Sequence, residues 1–97
     1  MCAANTFLVE RYLPGLRADE LEAFTTRLAA ATAAVRADGR SVRWLRSVAL
    51  PEEDTCLCVF RAASREDVEE ANRRAGAPYE RIVPAVTVAE VLPQAKV

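Results

Sequence analysis

The chain has 97 residues, with 13 basic and 14 acidic side chains and a formal charge of -1. A length of this order fits one domain over residues 1–97, and the balance of charge leaves no basic surplus to neutralise a run of phosphates. Histidine is absent altogether. Acid–base chemistry at neutral pH must therefore come from a perturbed Glu, Asp, Cys, Tyr or Lys, and a metal site would have only thiolates and carboxylates to draw on. No apolar run approaches the roughly 20 residues needed to span a bilayer. Met1-Cys2-Ala3-Ala4-Asn5 lacks the basic segment and apolar stretch of a secretory signal, so a soluble, cytoplasmic protein is expected. The cysteines are Cys2, Cys56 and Cys58, an odd number that fits free thiols in a reducing compartment.

The first strand is expected over residues 6–13, where Thr6, Phe7, Val9 and Tyr12 supply β-branched and aromatic types. Pro14-Gly15 ends it. A helix follows from about Arg17 to Arg36, with Leu21, Phe24, Leu28, Ala31 and Val35 in one apolar stripe. Its early turns carry Asp19, Glu20 and Glu22 and its last turn carries Arg36, the charge order that the helix dipole favours. Asp38-Gly39 is the expected stop.

A second strand is expected from about Ser41 to Leu50, then a polar turn at Pro51-Glu52-Glu53-Asp54, then a third strand from Thr55 to Ala62. Ser64-Arg65-Glu66-Asp67 resembles a capping box and opens a helix carrying Val68, Ala71 and Ala75. Gly76 closes that helix, with Pro78 just beyond. The last strand is expected over about Tyr79 to Leu92. It contains Pro84, which an edge strand tolerates and a central strand does not. Residues 93–97 read as a tail.

Strand, helix, strand, strand, helix, strand is the order of a ferredoxin-like βαββαβ domain, an α+β fold with a four-stranded antiparallel sheet and two helices on one face. That topology puts the first and third strands in the centre. Two short helices cover one sheet face only. Cys56, Cys58 and Phe60 point one way from the third strand, and Leu57 and Val59 point the other, so both faces are apolar. An apolar face without a helix over it marks an interface or a ligand cavity, and the expected partner is a second copy of the chain.

Within that frame five residues are candidates for a site. Alternation groups Glu10 with Leu8 and Tyr12 on a central strand, where a partly buried carboxylate can act as an acid, base or ligand. The competing reading of Glu10 is a solvated or ion-paired glutamate. Trp44 and Arg46, expected to share a face with Val42 and Val48, supply an aromatic wall and a cation for an anionic or carbonyl group. They also read as interface filler and as a cross-sheet ion-pair partner. Cys58 packs as a small hydrophobe or joins the lining. Cys56 and Cys58 lie roughly 6.5–7 Å apart at Cα level along an extended strand. They point side by side, which is poor geometry for a disulfide. As two ligands they fall short of the three or four of a nickel or zinc site. No metal and no cofactor is expected.

Several stretches resemble a known family. They are Phe7-Leu8-Val9-Glu10-Arg11 with Pro14-Gly15; Val42-Arg43-Trp44-Leu45-Arg46-Ser47; Thr55 with Cys58-Val59-Phe60-Arg61-Ala62; and Ala71 with Ala75-Gly76-Ala77-Pro78 and Ile82. In order and spacing, over about residues 6–88, they are similar to a bacterial family of small ferredoxin-like domains of unknown function that includes a nickel-binding homodimer. The resemblance implies a dimeric ferredoxin-like fold and a metal or small ligand. The nickel reading of that family depends on histidine ligands, and Arg46 stands where its pattern often has a histidine after the tryptophan. Nickel(II) favours imidazole nitrogen, so nickel binding does not carry over to these positions.

Three functions follow as alternatives. The first is a homodimer holding a small organic ligand or ion between sheet and partner. The second is a cofactor-free enzyme of secondary metabolism (a cyclase, isomerase or monooxygenase) with Glu10 as acid or base and Arg46 or Tyr12 steadying an oxyanion. The third is a structural or interaction module. Neither nucleic acid nor a membrane is an expected partner.

Overall fold

The computed structural model describes residues 5–89. Its elements are β1 (Asn5–Tyr12), α1 (Ala18–Ala37), β2 (Val42–Leu50), a 3-10 turn (Pro51–Glu53), β3 (Thr55–Ala62), α2 (Arg65–Ala75) and β4 (Arg81–Ala85). The four strands form one sheet in the order β2-β3-β1-β4. All three pairings are antiparallel. This is the ferredoxin-like α+β arrangement expected from the order of elements, with β1 and β3 in the centre.

Local chemistry sets the ends of the elements. Before α1, the carboxylate of Glu20 accepts the backbone N–H of Arg17 at 2.9 Å. At the start of α2, Ser64 Oγ accepts the backbone N–H of Asp67, the N-cap expected from that tetrapeptide. Gly76 ends α2 at φ +63, a left-handed conformation that a residue without Cβ adopts at little cost. Asp54 takes the same region (φ 52) after the 3-10 turn, as a short polar residue tolerates in a hairpin connection.

One face of the sheet carries the core. Phe7 and Val9 of β1, Val42 of β2, Cys56, Cys58, Phe60 and Ala62 of β3, and Ile82 of β4 are buried against Phe24, Leu28, Ala31 and Val35 of α1 and Val68, Ala71 and Ala75 of α2. The buried face of α1 is the stripe read from the sequence, widened by Thr32, whose hydroxyl turns back to donate to Leu28 O at 2.7 Å. Leu21 is half-buried at its edge.

Two expectations are corrected. The last strand is shorter than Tyr79 to Leu92. It pairs with β1 from Glu10↔Arg81 to Thr6↔Ala85 and ends there, close to where β1 itself begins. Pro84 does lie on an edge strand. Residues 90–92 of the expected strand, and the tail 93–97, lie outside the described residues. The second correction concerns β2, whose pairing with β3 shifts by one residue between Trp44 and Arg46. Leu45 is the extra residue of a β-bulge, and a bulge reverses the alternation beyond it. Trp44 and Arg46 therefore do not share a face. Val42 and Trp44 stand with the core, while Arg46 and Val48 stand on the far side of the sheet.

Leu28 is fully buried in the middle of this core. Replacing it by Ala is expected to cost about 2–5 kcal/mol, the range for a leucine-to-alanine cavity. Urea unfolding checks this, as a lower midpoint with an unchanged slope.

Candidate functional sites on the two sheet faces

Cross-strand register sorts the sheet into rows. On the face without helices the rows run Arg43–Arg61–Thr6–Ala85, then Arg46–Val59–Leu8–Val83, then Val48–Leu57–Glu10–Arg81, then Leu50–Thr55–Tyr12. On the helix-covered face they run Trp44–Phe60–Phe7–Pro84, then Ser47–Cys58–Val9–Ile82, then Ala49–Cys56–Arg11. The five sequence-derived candidates thus divide. Glu10, Tyr12 and Arg46 lie on the open face. Trp44 and Cys58 lie on the covered face and do not meet the other three.

On the open face, Glu10 is engaged. Its two carboxylate oxygens accept from Arg81 Nε at 3.1 Å and Nη2 at 3.0 Å, a bidentate fork that fixes the carboxylate in place. A quarter of its side chain remains exposed (28%), so this is the ion-paired alternative in geometry. Tyr12 is exposed at the end of β1. Arg46 contributes to a depression of about 480 Å³ lined by Thr6, Leu8, Leu45, Arg61 and Val59 and continued by the segment after β4. Arg43 and Arg61 face each other across β2 and β3 in the next row. None of Arg43, Arg46 and Arg61 forms an ion pair among the described residues. Three arginines at neighbouring register positions, beside apolar side chains, suit an anion with an apolar body.

The covered face holds a polar cluster that the sequence reading passed over. Arg11 is 1% exposed and is the largest fully buried side chain. Its Nη1 donates to Ala77 O at 3.3 Å and Pro78 O at 3.2 Å, and its Nη2 donates to Asn72 Oδ1 at 2.7 Å. Asn72 in turn donates to Val68 O at 2.8 Å. The guanidinium also lies 5.0 Å from the centroid of the Phe24 ring, within cation–π range. Alternation could have found this residue. Arg11 shares the face of Phe7 and Val9, which the same reading assigns to the core once the helices are laid on it.

Beside Arg11 sits the thiol pair. Cys56 and Cys58 are free and buried, with their Sγ atoms 4.0 Å apart. Ser47 Oγ donates to Cys58 Sγ at 2.8 Å and accepts from Trp44 Nε1 at 2.9 Å. Trp44, expected as a pocket wall, is instead the end of this relay. The pair titrates unequally. The thiol of Cys56 donates to Cys58 and lowers it to about 6; burial opposes this, and the Arg11 charge and the Ser47 hydroxyl assist. Cys56 is raised, first because it is the donor to Cys58 and then because it is buried.

The comparisons with known proteins agree with this architecture. The sequence profile of the SCO4226-like family, described as a nickel responsive protein, matches residues 7–85. The chain belongs to the SCO4226-like family. Among solved structures, the crystal structure of SCO4226 from Streptomyces coelicolor A3(2) superposes with a TM-score of 0.73 at 21% identity, covering 87% of this chain and 99% of that one. At that identity the likeness establishes the fold. No curated protein matches. The family read from the sequence is thus the one found. This SCO4226-like chain carries no histidine. Among the described residues no group of three or more Cys, Asp or Glu is arranged to hold a metal ion. No helix among them is long and apolar enough to cross a membrane.

The thiol pair gives a pH-dependent expectation. Cys58 is held below the ordinary thiol value of 9.0, so its stabilising effect is fully present above the unfolded value and is lost as pH falls through about 6. Stability should climb between those two pH values. Above that window the raised Cys56 has the opposite effect, because the unfolded chain releases that proton more readily. The far-ultraviolet thiolate absorbance of the folded chain should show the low step, and Cys58→Ser should remove it. Arg11→Met should move it upward and cost about 1.5–3 kcal/mol of stability, the range for hydrogen bonds made by a charged group.

Proposed function

We propose that this SCO4226-like protein is a cytoplasmic homodimer that holds a small anionic ligand with an apolar body against its open sheet face. The observation that carries the reading is the group of Arg43, Arg46 and Arg61. These three cations have no ion-pair partner among the described residues; Arg46 and Arg61 border the depression that Leu8, Leu45 and Val59 line, and Arg43 stands opposite Arg61 in the strand register. Charged side chains concentrated beside an apolar floor are costly for the free surface and favourable once a carboxylate or similar group sits in the fork of a guanidinium. The neighbouring rows, with Val48, Leu50 and Tyr12 exposed, offer the apolar area over which a second copy would close. A reducing setting suits the two free thiols.

Binding is favoured over acid–base catalysis by Glu10. Both of its oxygens are already taken by Arg81, and a group that must exchange protons with a substrate needs a free oxygen aimed at it. The name of the family refers to nickel. A nickel site built on imidazole has no ligands to draw on in this chain, and a guanidinium-lined depression suits an anion rather than a divalent cation.

Two measurements test the reading. Sedimentation velocity should give a dimer at micromolar concentration, and Leu8→Asp, placing a charge at the centre of the open face, should give a folded monomer; a monomeric parent chain would refute the dimer. Anilinonaphthalene sulfonate, an apolar dye with an anionic head, should bind with enhanced fluorescence. Arg46→Ala and Arg61→Ala should each weaken it about tenfold to a hundredfold, the equivalent of one charge-assisted hydrogen bond. Unchanged affinity in both variants would refute the anion site.

A further inference from the structure

The cluster on the covered face goes beyond that reading and is independent of it. Cys56 and Cys58 project from β3 to the same side with their sulfurs 4.0 Å apart. Such a separation is too long for a disulfide, whose sulfurs must close to about 2 Å. The sulfurs would have to part by roughly half an ångström to admit a single ion in line between them, at metal–sulfur bonds of about 2.3 Å each. The second observation is electrostatic. Arg11 stands opposite Cys56 in the β1–β3 register. Its Nε is the sole buried side-chain nitrogen or oxygen without a hydrogen-bond partner among the described residues. Its other nitrogens are committed to Asn72 and to the carbonyls of Ala77 and Pro78. An unpartnered donor on a fully buried cation is expensive, and a guanidinium so placed favours negative charge on the sulfurs beside it.

We propose that Cys56 and Cys58 form a two-coordinate site for a soft monovalent cation, Cu(I), with Arg11 as the buried counter-charge. Any proton that a thiol still carries passes to solvent as its sulfur–copper bond forms. The copper stays Cu(I) throughout, so no oxidant or reductant enters. Two thiolates and one monovalent ion leave a unit of charge -1, and the guanidinium of Arg11 brings the buried group to neutrality. A divalent ion would make the dithiolate unit neutral, leaving the buried Arg11 without a counter-charge, and would also lack the third and fourth ligands that zinc and nickel require. Soft thiolates select Cu(I) on chemical grounds. The Ser47 hydroxyl, held by Trp44 Nε1, donates to Cys58 Sγ and orients that ligand from outside, as groups behind metal ligands commonly do. Access runs through Cys56. It lines a cavity of about 110 Å³ at the end of the sheet, walled by Leu13, Leu16, Leu21, Leu50 and Pro51.

The test is an anaerobic titration of the reduced full chain with Cu(I) against the chromogenic chelator bicinchoninate. The chain should withdraw one equivalent of Cu(I) from the chelator, and X-ray absorption at the copper edge should show two sulfur neighbours in line. Cys56→Ser and Cys58→Ser should each abolish the withdrawal, while Cys2→Ser retains it. A double variant with Ala at both positions and a native circular-dichroism spectrum separates loss of ligands from loss of fold. Uptake that survives in that double variant, uptake that depends on Cys2, or failure of the parent chain to compete with bicinchoninate would each overturn the proposal.

Discussion

A positive charge buried inside a small domain constrains everything around it. Arg11 sits on a central strand, on the face that the helices cover, and is removed from water as fully as the leucine and valine side chains beside it. A guanidinium in that position is tolerated only when its donors are met. Meeting them organises one end of the molecule. The carbonyls of Ala77 and Pro78 turn inward from the segment that leaves α2, and Asn72 is held on the helix face between Arg11 and the carbonyl of Val68. Because the acceptors come from the C-terminal end of α2, the charge also lies where the helix dipole is negative. The Phe24 ring completes the enclosure from α1. One side chain of β1 thereby ties both helices to the sheet, and the position of the thiol pair relative to a cation follows from the register of β1 with β3.

Breaking that arrangement and replacing it are different operations. Removing Asn72's amide or the guanidinium alone strands the remaining partners without water to satisfy them. Exchanging the whole set for apolar groups of the same volume would remove the penalty together with the interaction. The cluster is therefore weak evidence for stability as such. It is better understood as a device that positions: it fixes where α2 ends relative to β1.

The order of elements was legible because it rests on local signals. Alternation identified β1 and β3, a helical stripe identified α1, and Ser64 marked the start of α2 through a side chain that competes for its own backbone. The separation of Cys56, Cys58 and Phe60 from Leu57 and Val59 was legible for the same reason. What escaped was set by partners distant in sequence. The bulge at Leu45 inverts the face of every later residue of β2, and no dipeptide in Trp44-Leu45-Arg46-Ser47 announces it, since it depends on how β3 is already registered. Alternation grouped Glu10 with Leu8 and Tyr12 without saying which face of the sheet they occupy, and its bidentate partner Arg81 lies 71 residues away. Arg11 was passed over because charge is ordinarily a mark of the surface, and only the choice of which face the helices cover turns its alternation into burial.

Composition and placement answer different questions about charge. A chain with 13 basic and 14 acidic residues has little net charge with which to attract a polyanion. Within a Debye length of about 8–10 Å, however, the field is set by whichever side chains are neighbours. On the helices the charges cancel locally: Glu70 receives both Arg73 and Arg74, Asp67 meets Arg40, and Asp38 meets Arg74. On the open sheet face Arg81 is matched by Glu10, while the two rows beyond carry Arg43, Arg61 and Arg46 with only Thr6, Leu8, Val59, Val83 and Ala85 as companions. The near-neutral total conceals a strongly positive patch of a few side chains, just as it conceals one buried cation on the opposite face. Net charge excludes partners that read the whole surface. It leaves open those small enough to read two neighbouring rows of a sheet, which is the scale of the group formed by Arg43, Arg61 and Arg46.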